Sequence, residues 1–177
     1  VAGNLIATLT LAMLVLISVV LVAATIIVPL QSTVKDVGWQ LAVGGTVYFG
    51  LIGVGFMMVE IALLQRMSVF LGHPVYALSV VLFSLILWTG FGSMASERVP
   101  LASAGQLVAW SVASAAYLFS LPFWLPPLLV NLDGADLLVR AGFCVLVLAP
   151  AGFLMGFGFP TGMRLVSAIS TAPTPWF

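Results

Sequence analysis

The first 34 residues of the chain are mostly apolar and contain no charged side chain. The first ionisable side chain is Lys35, and the run from Leu5 to Leu30 is mostly apolar. A helix needs about 20 apolar residues to cross the ~30 Å hydrocarbon layer of a bilayer. The run exceeds that length and the roughly 7–15 apolar residues of a signal peptide, and no basic segment precedes it. The pattern therefore predicts a membrane-spanning helix.

Further apolar runs of spanning length follow. Because lipid offers the backbone no hydrogen-bonding partner, each run is expected to form a helix. A shorter stretch, from Thr161 to Ser170, predicts a half-helix near the C-terminal end. The predicted fold class is all-α: a polytopic transmembrane helix bundle of about five spanning helices plus a C-terminal half-helix, in a single integral membrane domain over residues 1–177. The predicted spans are residues 5–30, 39–71, 75–94, 102–121 and 137–157.

Segments rich in glycine, proline and polar residues separate the runs. Gly72-His73-Pro74 combines a residue that tolerates a left-handed cap with a proline that suits a first helical turn. Three prolines between residues 122 and 127 are expected to end the fourth helix, and Pro150 is expected to kink the fifth. Asp133 or Asp136 is expected to cap the N-terminus of the fifth helix.

Composition supports the membrane assignment. Of 177 residues, 63% are hydrophobic and 6% are charged, and the mean hydropathy is +1.28. A soluble domain carries about 25% charged residues. Five basic residues balance five acidic ones, so no basic patch is available for nucleic acid. The only cysteine, Cys144, lies in an apolar run and is expected to be a small core residue.

Alternating crossings sort the basic residues into two groups. Lys35, Arg98 and Arg164 are predicted on one side, and Arg66 and Arg140 on the other. The excess of one basic residue favours the first side as cytoplasmic. The predicted localisation is the bacterial inner (cytoplasmic) membrane, with multiple crossings.

Glu60 is the only acidic residue inside a predicted span. It follows Trp39 by 21 residues, or about 31 Å of helix, which predicts a position near one interface. Arg66 lies about 120° further around the helix, so His73 and Arg140 are better partners. We expect a structural polar cluster that joins helix two to its neighbours; the alternative is a proton or cation relay. Its predicted members are Glu60, Gln65, Arg66, His73 and Arg140.

Glycines recur in two of the runs. Residues 50–55 resemble a nucleotide-binding loop, but they lie in an apolar helix that no strand precedes. In lipid, small residues four apart let helix backbones approach closely. The predicted helix-packing glycines are Gly50, Gly53, Gly55, Gly152, Gly156, Gly158 and Gly162.

Residue types needed for catalysis do not group along the chain. The sequence contains no Ser/His/Asp set, no spacing typical of metal ligands and no phosphate-binding loop. His73 is the only histidine, and its place in a turn favours a capping role over a ligand role. We therefore expect no catalytic residues, no metal site and no cofactor.

A longer motif in the middle of the chain resembles a known family. It comprises Gly55, Phe56 and Glu60, then Gln65 and Arg66, then Phe70-Leu71-Gly72-His73-Pro74 and Tyr76-Ala77-Leu78; a second matching segment is Gly152 to Val166. These residues resemble the membrane portion of bacterial spermidine synthase-like multi-pass proteins. That family joins transmembrane helices to a Rossmann-type domain related to aminopropyltransferases, which these 177 residues do not contain. The resemblance therefore implies a membrane motif and carries no catalytic activity.

Three functions remain open on the sequence alone. The favoured one is a non-catalytic structural or accessory subunit that packs against other transmembrane subunits, in a large respiratory or photosynthetic complex. Its expected partners are the lipid bilayer, other transmembrane subunits, and lipids or pigments between them. The alternatives are a transport or channel module that uses the Glu60 region, and the membrane anchor of a spermidine synthase-like protein.

Overall fold

The computed structural model describes residues 2–24, 39–101 and 103–169, and this part of the chain is helical with no strand. The helices are α1 (Ala2–Val22), α2 (Trp39–Leu71), α3 (Pro74–Arg98), α4 (Ala104–Asn131), α5 (Leu137–Gly156) and α6 (Gly158–Ile169). Five helical segments are long and apolar enough to cross a membrane, with α5 and α6 forming one of them. The all-helical class is therefore confirmed for the described residues.

α1 and α2 follow from their apolar runs. α2 has the predicted bounds, Trp39–Leu71. α1 ends as a regular helix at Val22, and residues 25–30 of the predicted first span lie outside the described residues. Lys35 lies outside them as well.

α4 corrects one sequence expectation, because the prolines do not end it. The helix continues through Pro122, Pro126 and Pro127 to Asn131. Proline removes one backbone donor and disturbs one turn, but an apolar helix continues where its side chains remain packed. Leu121 and Leu125 are buried in the core at 6% and 1% exposure, and they hold the proline-containing turns in place.

α5 and α6 are separated by a single residue. α5 runs through Pro150 and ends at Gly156, Phe157 has helical backbone angles, and α6 begins at Gly158. The half-helix therefore begins three residues earlier than Thr161, where the sequence placed it. The amide of Thr161 donates to the carbonyl of Phe157 at 3.1 Å, which joins the two helices across the break.

The chain divides into two compact units, Val1–Val47 with Leu165–Phe177, and Tyr48–Arg164. Within the second unit α5 packs against both α3 and α4, and the tightest pairing is between α3 and α5. The core gathers residues of all four long helices of this unit, among them Met67, Val81, Leu125 and Leu148. A single domain over the whole chain stays a prediction.

Candidate functional site

The turn between α2 and α3 is built as its residues predict. Gly72 has φ 75°, the left-handed conformation that glycine adopts without strain. His73 is the N-cap residue of α3, and its Nδ1 accepts a hydrogen bond from the amide of Val75 at 3.3 Å. Pro74 occupies the first turn, where its missing donor costs nothing. The capping role expected for His73 is confirmed.

Arg140 lies where the end of α2 meets the start of α5. Its guanidinium carbon lies 5.1 Å from the centre of the Phe70 ring, and Nη1 donates to the carbonyl of Asp133 at 3.4 Å. Its Nε is buried without a hydrogen-bond partner among the described residues. A cation above an aromatic face gains electrostatic energy. Arg140 therefore connects three chain segments, α2, the loop before α5, and α5.

The structure brings only part of the predicted polar cluster together. Arg140 lies beside the turn that contains His73, because a Cβ on Gly72 would lie 3.9 Å from its Nη2. Gln65 and Arg66 are exposed, and Glu60 is half-buried. Within the described ranges, no hydrogen bond or ion pair joins Glu60 to the other predicted members. A shared cluster of all five side chains stays a prediction.

The structure gives the level of Glu60 relative to α4. Its neighbour Val59 lines a surface depression together with Ser114 and Leu118. Those residues lie about halfway along α4, which runs from Ala104 to Asn131. Glu60 is therefore level with the middle of α4 and not with its end. Its distance from a bilayer interface stays a prediction.

α3 and α5 meet through a seam of glycines. A Cβ on Gly92 would overlap the carbonyl of Phe153, and one on Gly156 would overlap the carbonyl of Thr89. A Cβ on Gly152 would lie 2.8 Å from Cβ of Trp88. Only hydrogen at these three positions allows the two backbones to approach so closely.

Gly92 is the seam residue that sequence reasoning missed. Its small neighbour Ser96 lies four residues later on α3, and Thr89 lies three residues before it. This spacing of small residues was a usable signal, because it matches the spacing of Gly152 and Gly156 on the partner helix.

The predicted packing glycines on α6 also have close neighbours. A Cβ on Gly158 would lie 3.3 Å from Cδ1 of Ile52, and one on Gly162 would overlap the ring of Tyr48. The Tyr48 hydroxyl donates to the carbonyl of Gly158 at 3.0 Å. These contacts attach α6 to α2.

The glycines of α2 differ from this pattern. A Cβ on Gly50, Gly53 or Gly55 would find no described atom within 4 Å outside its own turn. The sequence placed these three glycines in the same packing class as Gly152 and Gly156. The structure corrects that grouping for contacts inside the chain, because the glycines of α2 face open space.

Charged residues mark the two ends of the second unit. At one end Arg164 donates through Nη1 to the carbonyl of Ser96 at 2.6 Å, close to Arg98 in the last turn of α3. At the other end Arg66 and Asp133 line one cavity. Arg98 and Arg164 therefore lie at one end of this unit, and Arg66 and Arg140 lie at the other. Their assignment to the two sides of a membrane stays a prediction.

No group of three or more histidine, cysteine or acidic side chains among the described residues could hold a metal ion. Cys144 is fully buried, and its Sγ lies 3.3 Å from Sδ of Met67. The thiol therefore packs in the core, as its apolar surroundings predict.

Comparison of the chain with protein families, with curated proteins and with solved structures gives no match.

Proposed function

We propose that the chain is a non-catalytic helical subunit of a multi-pass membrane protein complex, in which it packs against other transmembrane helices. The observation that carries this proposal is the apolar exterior of the helices. Leu138 is 85% exposed, Phe123 83% and Phe119 77%. Exposed apolar patches larger than a few hundred Å² mark surfaces that contact lipid or protein.

The arrangement of charge supports the same proposal. Arg66, Asp133 and Arg140 lie at one end of the second unit, and Arg98 and Arg164 lie at the other. Between the ends the described faces are mainly apolar, and Glu60 is the charged residue among them. Charged groups at the two ends and apolar side chains between them are what a bilayer requires.

The grooves beside α2 favour the packing function over the transport alternative. The groove between α2 and α3 has a volume of about 450 Å³ and is lined mainly by apolar residues such as Phe56, Met57 and Ile86. The groove between α2 and α4 contains Phe56, Trp110 and Leu118. Such walls suit hydrocarbon or another helix more than a hydrated ion.

The second candidate function is the membrane anchor of a spermidine synthase-like protein. It rests on the motif from Gly55 to Leu78, which forms the second half of α2, the Gly72-His73 turn and the start of α3. A gene that continues into a Rossmann-type domain would support it.

The proposal is tested by photo-crosslinking in native membranes. A photoreactive amino acid is placed at Met58, Phe119 or Leu146, which are 67%, 77% and 70% exposed on three different helices. The matched control is Leu148, which is 0% exposed. We expect retention of the chain in alkaline-washed membranes and a discrete protein adduct from at least one exposed position but none from Leu148.

Each failure of this experiment has its own meaning. Release of the chain by the alkaline wash would overturn the membrane assignment. Adducts to lipid alone at all three exposed positions would overturn the subunit assignment while leaving the chain in the membrane.

A further inference from the structure

We propose that the groove between α2 and α4 binds one phosphatidylethanolamine molecule, with its phosphate at Arg66, its ammonium at Asp133 and an acyl chain along the groove. This inference rests on the proposed membrane location and goes beyond it by assigning a ligand class and its contact residues.

The mouth of the groove is a cavity of about 370 Å³ at the end of α2. Arg66 and Asp133 are its charged wall residues, and the rest of the wall is apolar, including Phe70 and Leu129. A site with an apolar wall and two opposite charges at its rim is complementary to an amphiphilic ligand. A polar headgroup fits the rim, and hydrocarbon fits below it.

Two further depressions lie along α2 beyond the mouth. The next one, of about 160 Å³, shares Arg66 with the mouth and is otherwise apolar. The third, of about 210 Å³, shares Val59 and Leu118 with the second and reaches Leu51. From Arg66 back to Leu51 is about 22 Å of helix at 1.5 Å per residue. That length suits one extended acyl chain.

The two charges at the mouth are not used by the protein itself. Within the described residues neither the Arg66 guanidinium nor the Asp133 carboxylate forms an ion pair, although both line the same cavity. A guanidinium binds phosphate oxygens through parallel hydrogen bonds. A carboxylate accepts hydrogen bonds from a primary ammonium. The pair is therefore complementary to a zwitterion that has a phosphate and an N–H donor.

Arg140 contacts two residues that form the wall of the mouth. It contacts the Phe70 ring and the Asp133 carbonyl, and both of those residues belong to the cavity wall. Its guanidinium is thereby committed to the wall, so Arg140 is a positioning residue and Arg66 is the cation that faces the ligand.

The charge pattern distinguishes phosphatidylethanolamine from related lipids. Phosphatidylglycerol offers a phosphate to Arg66 but no cation to Asp133. Phosphatidylcholine has a quaternary ammonium, which cannot donate a hydrogen bond to the Asp133 carboxylate. We therefore expect binding to fall from phosphatidylethanolamine to phosphatidylglycerol and phosphatidylcholine.

The test is native mass spectrometry of the purified chain in detergent, with each of the three lipids added at matched acyl composition. We expect one phosphatidylethanolamine to bind about tenfold more tightly than phosphatidylcholine, the effect of one charge-assisted contact. Arg66→Gln is expected to weaken phosphatidylethanolamine and phosphatidylglycerol alike. Asp133→Asn is expected to weaken phosphatidylethanolamine alone. Arg98→Gln, at the other end of α3, is the charge control and is expected to change neither.

A second pair of variants tests the acyl part of the groove. Ala62 is exposed and lines the second depression, so Ala62→Phe is expected to fill it and weaken all three lipids. Ala116 is exposed on α4 outside these depressions, and Ala116→Phe is the matched control.

Equal binding of the three lipids, or equal effects of Asp133→Asn and Arg98→Gln, would overturn the lipid assignment. A chain retained in alkaline-washed membranes that shows no lipid preference would overturn this inference alone. A chain released by the wash would overturn the proposed membrane function as well. A protein adduct from a photoreactive residue at Val130, in the wall of the mouth, would assign the groove to a protein partner and overturn the lipid.

Discussion

The α3–α5 pair and α2 show two ways of placing an apolar helix in one bundle. α3 and α5 meet backbone to backbone at Gly92 and Gly156, whereas α2 joins the core through side chains of its second half and borders grooves toward α3 and α4. In the most apolar window of each helix, 28% of the α3 residues are buried but only 6% of those in α2. Helices of similar apolar composition therefore form a closely packed seam between α3 and α5 and a more open surface along α2.

The difference lies in what the glycines face. On α5 the glycine hydrogens face the backbone of α3, so the missing side chains become contact area. On α2 an added Cβ at Gly50, Gly53 or Gly55 would meet no described atom within 4 Å, so the missing side chains leave open volume. Glycine spacing alone does not distinguish these outcomes, and the first experiments below separate them.

The largest effect is expected at the seam. Gly156→Ala places a methyl group on the Thr89 carbonyl, and neither backbone can move without separating α3 from α5. We expect the free energy of unfolding to fall by about 1–3 kcal/mol, the usual cost of overpacking. Unfolding in mixed detergent and sodium dodecyl sulfate, followed by helical circular dichroism, measures it.

The matched control is Gly50→Ala, in the same residue class but facing open space. Since alanine is about 0.5–1 kcal/mol better than glycine inside a helix, this variant is expected to be unchanged or more stable. Equal destabilisation by both variants would contradict the distinction between the seam and α2.

A smaller effect is expected from the hydrogen bond that attaches α4 to α5. Trp110 donates through Nε1 to the Leu154 carbonyl at 2.8 Å. Trp110→Phe removes this bond, and we expect a loss of about 0.5–1.5 kcal/mol in the same unfolding assay. The control is Trp88→Phe, because Nε1 of Trp88 is buried with no hydrogen-bond partner in the described part of the chain. Trp88→Phe removes no hydrogen bond, so a larger loss there would refute the role given to Trp110.

A smaller loss still is expected from Gly158→Ala. The nearest atom to the added Cβ is Cδ1 of Ile52, the far end of a flexible side chain, at 3.3 Å. Ile52 also borders the grooves beside α2, so it has room to move. We expect destabilisation below the ~1 kcal/mol lower end of overpacking costs. A loss as large as that of Gly156→Ala would show that α2 is held as tightly as the seam.

The smallest effect is expected from Glu60→Gln. Since no described residue pairs with Glu60, neutralising it removes no ion pair and should shift the free energy of unfolding by less than about 1 kcal/mol. Under the packing proposal, proton or cation flux in proteoliposomes with an internal pH-sensitive dye is unchanged. A flux that is present in the native chain and lost in the variant, at unchanged stability, would favour the transport alternative.

Local chemistry was predictable at the turn between α2 and α3, where single residues decide it. Gly72, His73 and Pro74 form the expected turn, with a left-handed glycine, a histidine cap and a proline in the first helical turn. α2 has its expected bounds because its apolar run ends at that turn. Asp136 is at the N-cap position of α5, but its side chain makes no capping hydrogen bond.

Features that depend on a neighbouring helix were not predictable in the same way. The prolines predicted that α4 ends at residue 121. The helix instead continues to Asn131, with Leu121 and Leu125 buried in the core. Gly92 was overlooked because its importance comes from the Phe153 carbonyl on another helix. The cavity shared by Arg66 and Asp133 joins residues 67 positions apart.

The sequence by itself determined that the described residues form long apolar helices with most of their charges near the helix ends, because a backbone in lipid must form helices and charge is costly between the interfaces. Tertiary structure alone decided which glycines are contacts and which are open space, and which charged residues share a cavity. The physical reason is the different range of the interactions involved. Helix formation depends on neighbours within one turn, whereas close packing depends on which surface another helix presents across the gap.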